Sequence, residues 1–177
     1  MIILCGASAS GKTVTALELQ RKYGLKKAIT TTTREKRVGE TDGVEYFFIS
    51  KDEFQKRLSE NKFVESSIYN NNYYGCGLDQ VSDDKVVVLD PNGLHSFKKL
   101  KNKNIVTFLL IADEKTRRDR MVSRGDKEES IKTRLTNDVN DFSMEKIGQV
   151  DFIIKTSDKS IEEIADIIYE CYKKKIA

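Results

Sequence analysis

Eight residues near the N-terminus, Gly6-Ala7-Ser8-Ala9-Ser10-Gly11-Lys12-Thr13, constrain this chain more than any other segment. They match the pattern G-x-x-x-x-G-K-[ST] in full. The apolar run Ile2 to Cys5 precedes them, and a helix is expected from Lys12 or Thr13 to about Tyr23, where Gly24 ends it. A strand, a glycine-rich turn and a helix in that order make a loop whose small residues let backbone N–H groups curl around phosphate oxygens. The helix that starts there adds the positive end of its dipole. Lys12 then reaches the terminal phosphates of a triphosphate, and the Thr13 hydroxyl is placed to ligate Mg2+. A ligand-free glycine turn is the competing reading of the bare pattern, and the flanking strand and helix argue against it.

The rest of the chain repeats the alternation. Short apolar runs at Lys27 to Thr31, Val86 to Asp90, Ile105 to Ile111 and Phe152 to Lys155 read as further core strands, and Val86-Val87-Val88-Leu89 suits a strand covered on both faces. Helices are expected from about Asn92 to Lys101, from Asp113 as an N-cap, and from Ser160, where Ser160 and Glu163 form a capping box and Ile161, Ile164, Ala165, Ile168 and Tyr172 share one face. The pattern predicts an α/β fold with a mostly parallel five-stranded sheet between helical layers. Residues 31–80 break the alternation. A strand over Glu45 to Ser50, a capping box of Ser50 with Glu53, a strand from Lys62 to Tyr69 and a polar turn from Asn70 to Gly77 describe a small mixed insertion. Residues 114–141 are helical and charge-dense around Gly125. The expected division is a core of 1–30, 81–113 and 142–177, an insertion of 31–80 and a helical lid of 114–141.

Composition narrows the function. A net charge of +3 over 177 residues gives no global field for nucleic acid or an anionic membrane. One histidine and three widely spaced cysteines, Cys5, Cys76 and Cys171, leave neither a His-rich metal site nor a disulfide framework, and they fit a reducing, cytoplasmic compartment. No apolar run is long enough to span a bilayer, and the N-terminal run ends at once in glycine, which reads as a strand and not a signal peptide.

Charged residues extend the loop's chemistry. Asp90 closes a core strand, where it either contacts Mg2+ or caps the helix after Pro91, and the two roles are compatible. Arg34 and Arg37 follow the second core strand, and guanidinium forks match phosphate oxygens bidentately, so they suit a second phosphorylated substrate. Arg117, Arg120 and Arg124 share one helical face. Singly each reads as a solvated surface residue; as a set with Arg118 and Arg134 around Gly125 they suit a mobile lid that brings positive charge to a transferring phosphoryl group.

Thr32-Thr33-Arg34-Glu35-Lys36-Arg37-Val38-Gly39-Glu40, continuing through Gly43 and Tyr46 to Phe48, resembles the T-T-R-x-x-R-x-G-E-x-x-G-x-x-Y-x-F segment of the guanylate kinase family. Phe63-Val64-Glu65, Asn72-Tyr73-Tyr74-Gly75 and the lid residues Arg120, Arg124-Gly125, Glu128-Glu129-Ser130-Ile131 and Arg134 extend the resemblance over essentially the whole chain. It implies a three-layer P-loop NTPase core with a nucleoside-monophosphate-binding insertion and a lid, and phosphoryl transfer from ATP to GMP with Mg2+. It implies that Gly6, Ala7, Ser8, Ala9, Ser10, Gly11, Lys12 and Thr13 hold the ATP phosphates. Arg34, Arg37, Tyr46 and Tyr74 hold the GMP phosphate, and Thr30 and Glu65 read guanine beside position 76. Lys12, Arg120, Arg124 and Arg134 act on the transferring group. Guanine presents N1–H and N2–H2 side by side to one carboxylate, whereas adenine would leave Glu65 unpaired. The implied partners are ATP and GMP alone, with no nucleic acid or membrane, in a monomer or homodimer.

Some positions depart from the family. Cys76 stands where Ser or Thr usually donates to guanine O6, and a thiol is a weak donor. Val88 replaces the first of a spaced pair of aspartates, Lys155 stands where Asn often flanks adenine, and the loop reads Ala-Ser-Ala-Ser. These departures motivate the alternative of a same-fold kinase with another monophosphate acceptor. A non-catalytic phosphopeptide-binding module is the other alternative; such modules have degraded loops, and Lys12 and Thr13 are intact here.

Overall fold

The structure, a computed structural model describing residues 1–177, is built on five parallel strands. In chain order the elements are β1 (Ile2–Cys5), α1 (Lys12–Tyr23), β2 (Lys26–Lys27), β3 (Thr30–Thr32), β4 (Phe47–Phe48), α2 (Lys51–Ser59), β5 (Phe63–Tyr69), β6 (Asn72–Gly77), β7 (Lys85–Val88), α3 (Pro91–Lys98), β8 (Val106–Ile111), α4 (Glu114–Ser123), α5 (Glu128–Asp141), α6 (Met144–Ile147), β9 (Phe152–Lys155) and α7 (Ile161–Ile176). The main sheet runs β2-β7-β1-β8-β9, with every pairing parallel. Strand β1 lies at its centre, and all four of its residues are buried.

Alternation along β1 divides the core. Ile2 and Leu4 pack with Leu19 of α1 and Ile164, Ala165, Ile168 and Tyr172 of α7 on one face. Ile3 and Cys5 pack with Leu94 and Phe97 of α3 and Ile147 of α6 on the other. The result is the expected three-layer arrangement. The apolar stripe on α7 is buried as its spacing requires, and both halves of the Ser160–Glu163 capping box form.

The run Lys27 to Thr31 does not form one core strand. Lys26–Lys27 pair with β7, Ala28 N–H still donates to the Val86 carbonyl, and Ile29 N–H turns to the Gln80 side chain at 3.1 Å. Thr30–Thr32 then join a second sheet of order β4-β3-β6-β5. Both halves are extended, so residue pattern alone carries no information on which sheet each half joins. Within residues 45–50 only Phe47–Phe48 form a strand. The segment from Asn70 to Gly77 is a turn only at Asn70 and Asn71, whose φ values of 47° and 60° suit a two-residue hairpin; Asn72–Gly77 pair on both sides, with β3 and β5. Ser50 caps α2, but Glu53 turns away to Arg57 at 2.7 Å, so the predicted reciprocal box is only half formed. Phe54 anchors α2 on this sheet through stacking with Phe63, centroids 4.4 Å apart. Helices α4 and α5 meet through Met121, Ile131 and Leu135, and Ala9 packs against that small cluster.

Candidate active site

The loop between β1 and α1 has the conformation that its chemistry requires. Gly6 has φ 149°, and a Cβ there would lie 2.3 Å from the Leu110 carbonyl oxygen, so β8 passes too close for any side chain. Gly11 (φ 99°) and Ala9 (φ 59°) also take positive φ. The N–H groups of Ala9 and Gly11 have no hydrogen-bond partner in the chain, and Lys12 and Thr13 at the start of α1 lack the acceptor four residues earlier that interior helical residues have. These are free donors at a helix N-terminus.

The carbonyl side of the loop is fully engaged. Lys12 Nζ donates to the carbonyls of Gly6 at 2.5 Å and Ala7 at 2.8 Å. Arg117 Nε donates to Ser8 O at 2.8 Å, Arg120 Nη1 to Ala9 O at 3.0 Å, and Thr156 Oγ1 to Ser10 O at 2.9 Å. Burial lowers the Lys12 pKa to about 8, with Cys5 and Asp138 opposing that shift and Arg117 and Arg124 adding to it. Unliganded, the fold therefore carries an ammonium that burial disfavours. The folded-state pKa lies below the unfolded 10.5, so the penalty is complete below about pH 8 and is relieved as pH rises to 10.5. Lys12→Met should be the more stable protein at pH 7 by roughly 1–3 kcal/mol, and urea midpoints of the two proteins should converge between pH 8 and 10.5. A gap independent of pH would contradict this assignment.

A cavity of about 350 Å³ opens on this side, lined by Gly11, Lys12 and Thr13, by Arg120 and Arg124, and by Val14, Lys159, Ile161 and Ile164. A lining that combines the loop and two arginines with the apolar side chains of Val14, Ile161 and Ile164 suits a phosphate chain continuing into a flat apolar group. Lys155 is not part of that lining, whereas Lys159, just before α7, and Ile161, its first residue, are. A second cavity of about 520 Å³ lies among Asp90, Asn92, His95, Asp141, Phe142 and Lys146. The Lys12 ammonium stands 5.8 Å from the Phe142 ring centroid, which turns the lysine toward Phe142 of the second cavity's lining as well as lining the first.

Beside the second sheet Arg34 and Tyr46 converge with Tyr74 of β6. The Arg34 guanidinium lies over the Tyr46 ring at 5.4 Å, and Tyr46 and Tyr74 meet edge to face at 6.0 Å. Arg34 is paired with Glu40 at 2.8 Å, and the other Glu40 oxygen accepts from the Arg37 N–H at 2.8 Å. Glu40 therefore organises both arginines, a role that the sequence reading did not give it. The Arg37 side chain is exposed. Thr30 faces Cys76 across β3 and β6, and Glu65 faces Cys76 across β5 and β6. Glu65 Oε1 accepts from the Cys76 N–H at 3.2 Å. Burial raises the Glu65 pKa and the Asp90 charge adds to that, while the Cys76 N–H opposes it. The Cys76 side chain is 2 % exposed and belongs to the apolar cluster around Ile3 and Leu94, so its thiol points into the core. Its one polar contact is a long one, donated to the Gly77 carbonyl oxygen at 3.9 Å.

Asp90 Oδ1 accepts from Gly93 N–H at 2.7 Å as the N-cap of α3, with Pro91 at the first helical position. Of the two readings, capping is the one that the structure displays. Arg124 and Arg134 both pair with Asp126, at 2.5 and 3.2 Å, on the far side of Gly125 (φ 83°). Arg120 instead reaches the loop. Arg117 departs furthest from a solvated helix face: it is 9 % exposed and bonds Asp138, itself 8 % exposed. Sequence reasoning missed Asp138 and Thr156. For Asp138 there was a signal. Ile131, Leu135 and Asp138 fall on one helical stripe, and an acid in an apolar stripe demands a buried partner.

The guanylate kinase family model matches residues 1–173. A guanylate kinase of Rickettsia prowazekii is 33 % identical, the match covering 95 % of this chain and 89 % of that protein. One of Chlorobaculum tepidum is 29 % identical over 96 % of this chain and 92 % of its own length. Among solved structures, the guanylate kinase of Anaplasma phagocytophilum superposes with a TM-score of 0.67 at 20 % identity, covering 98 % of this chain and 84 % of that one, a likeness of fold.

Proposed function

The chain belongs to the guanylate kinase family, and from that premise we propose that it transfers the γ-phosphoryl group of ATP to GMP, giving ADP and GDP. The observation that carries the reading is the loop of residues 6–13, with unpartnered N–H groups and with Lys12 lining one cavity while its ammonium faces Phe142 of a second. We assign Gly6 to Thr13 to the ATP phosphates and the cavity beside Ile161 to the adenosine. We assign residues 31–80 to GMP binding: Arg34, Arg37, Tyr46 and Tyr74 to its phosphate, and Thr30 and Glu65 to its base.

Phosphoryl transfer needs positioning and charge stabilisation more than covalent chemistry. Lys12 leaves the Gly6 and Ala7 carbonyls for phosphate oxygens, whose negative charge compensates its buried ammonium better than neutral carbonyls do. Arg124 and Arg134 exchange Asp126 for the transferring group as residues 114–141 close, while Arg120 already lies at the loop. Excluding water strengthens each of these interactions. The chain's own donors fit Mg2+ held mainly by phosphates and water, since the Thr13 hydroxyl is exposed at the loop and no cluster of three acidic, His or Cys residues forms a cage. Mg2+ bound there would neutralise charge on the phosphates. Asp90 has its second carboxylate oxygen available for the same task. No helix is long and apolar enough to cross a membrane, and three free cysteines fit a cytoplasmic enzyme.

A coupled assay with ATP, Mg2+ and each of GMP, AMP, CMP, UMP and dTMP tests the reading. GMP should be the preferred acceptor by ~10²-fold or more. Turnover of another monophosphate in its place would overturn the assignment of guanine.

A further inference from the structure

Besides the residues assigned above, one buried ion pair is built onto the phosphate loop from outside. Arg117 of α4 and Asp138 of α5 bond each other, and both also bond the same loop residue. Asp138 Oδ2 accepts from the Ser8 N–H at 2.9 Å, and Arg117 Nε donates to the Ser8 carbonyl at 2.8 Å. Ser8 is thus held at both of its backbone groups by charges that are themselves out of water.

The consequence for the loop follows from peptide geometry. In a trans peptide the C=O of one residue and the N–H of the next point in opposite directions. Fixing Ser8 O outward fixes Ala9 N–H inward, and fixing Ser10 O through Thr156 does the same for Gly11 N–H. Ala9 and Gly11 carry two of the loop's unpartnered N–H groups. An ion pair between α4 and α5 alone would account for their packing, but not for both charges converging on Ser8. Asp138 also occupies the Ser8 N–H, which removes that donor from the set available to phosphate.

We propose that Arg117 and Asp138 form a positioning clamp that presets the phosphate-binding loop for nucleotide and ties its shape to the two helices that close over it. The inference rests on the nucleotide-kinase reading for its effect on binding, but its claim about the loop holds without nucleotide. The clamp's residues touch the loop and not the substrate.

The test uses the full chain with two variants. Arg117→Met/Asp138→Val removes both charges at similar volume, and replacing a buried pair by apolar groups is close to neutral for stability. Arg117→Lys keeps a charge for Asp138 but loses the fork that also reaches Ser8. In the unliganded protein, amide hydrogen exchange in peptides spanning residues 6–12 should quicken about tenfold in the double variant and less in Arg117→Lys, with melting temperatures close to wild type. Calorimetric ADP affinity should fall about tenfold and about threefold respectively, with GMP affinity unchanged. Should the double variant fail to fold, Arg117→Lys carries the same test alone. Loop exchange and ADP affinity equal to wild type in the folded variants would reduce the pair to a packing element and overturn the clamp. A wild-type chain that binds no ADP would instead defeat the functional reading, while loop exchange would still decide the clamp.

Discussion

Lys12→Ala is expected to lower kcat with ATP and GMP by ~10³-fold or more, the scale seen when a positive group is withheld from a transferring phosphoryl group. The KM for GMP should change little, because Lys12 belongs to the loop that we assign to ATP. The structure explains why the loss should fall on kcat. The ammonium rests on the Gly6 and Ala7 carbonyls at 2.5 and 2.8 Å, and burial has already brought its pKa down to about 8. That interaction is poor compensation for a charge removed from water, so approaching phosphate oxygens gain the lysine at small cost. The folded protein should not suffer from the replacement, since the disfavoured charge goes with the side chain. Steady-state kinetics and a urea titration on one preparation check both parts. An unchanged kcat would remove Lys12 from the chemistry, and a collapse in stability would make the kinetic loss uninterpretable as a charge effect.

Glu65→Gln should reduce kcat/KM for GMP by ~10²–10³-fold and leave folding within about 1 kcal/mol of wild type. The asymmetry has a structural cause. The Cys76 N–H that Glu65 holds at 3.2 Å needs only one acceptor oxygen, and glutamine supplies one. Guanine offers two adjacent N–H donors, and the amide would set its NH2 against one of them. Leaving a donor facing a donor in a partly buried site costs more than a missing bond. Burial and the nearby Asp90 raise the Glu65 pKa, so the carboxylate needed for the base is lost at a higher pH than for an exposed glutamate. Wild-type kcat/KM for GMP should fall on the acid side accordingly, and that limb should be absent in Glu65→Gln. Equal kcat/KM for GMP in the two proteins would show that Glu65 does not read the base. Cys76 adds little to selection on this geometry: its thiol lies in the core, and Cys76→Ser would set a hydroxyl among Ile3, Leu94 and their neighbours.

Much of the candidate site was legible because its signals are local. The phosphate loop, its flanking strand and helix, and the capping of α4 by Asp113 and of α7 by Ser160 are written within a few consecutive residues, and all take their expected form. The insertion was read less well. The extended segment that splits into β2 and β3 gives no sign of which sheet each half joins, and the Tyr-containing run read as a turn is a strand. Glu53 matched a capping pattern but found Arg57 one turn on, because two acceptable partners competed for it.

By itself, then, the sequence determined the layered α/β core, the phosphate-binding loop and the family. Those rest on short-range spacing: hydrophobic period, glycines where φ must be positive, and a lysine next to a helix start. Only the tertiary structure decided which charges serve the loop. Arg117, Arg120 and Arg124 are equivalent on a helical face, yet Arg117 is buried on Asp138 and Ser8, Arg120 reaches Ala9 and Thr156, and Arg124 turns to Asp126. The partners lie up to 111 residues away in the chain. A charge's role depends on what folding brings within about 3 Å of it, and that distance is a property of packing which no periodicity encodes.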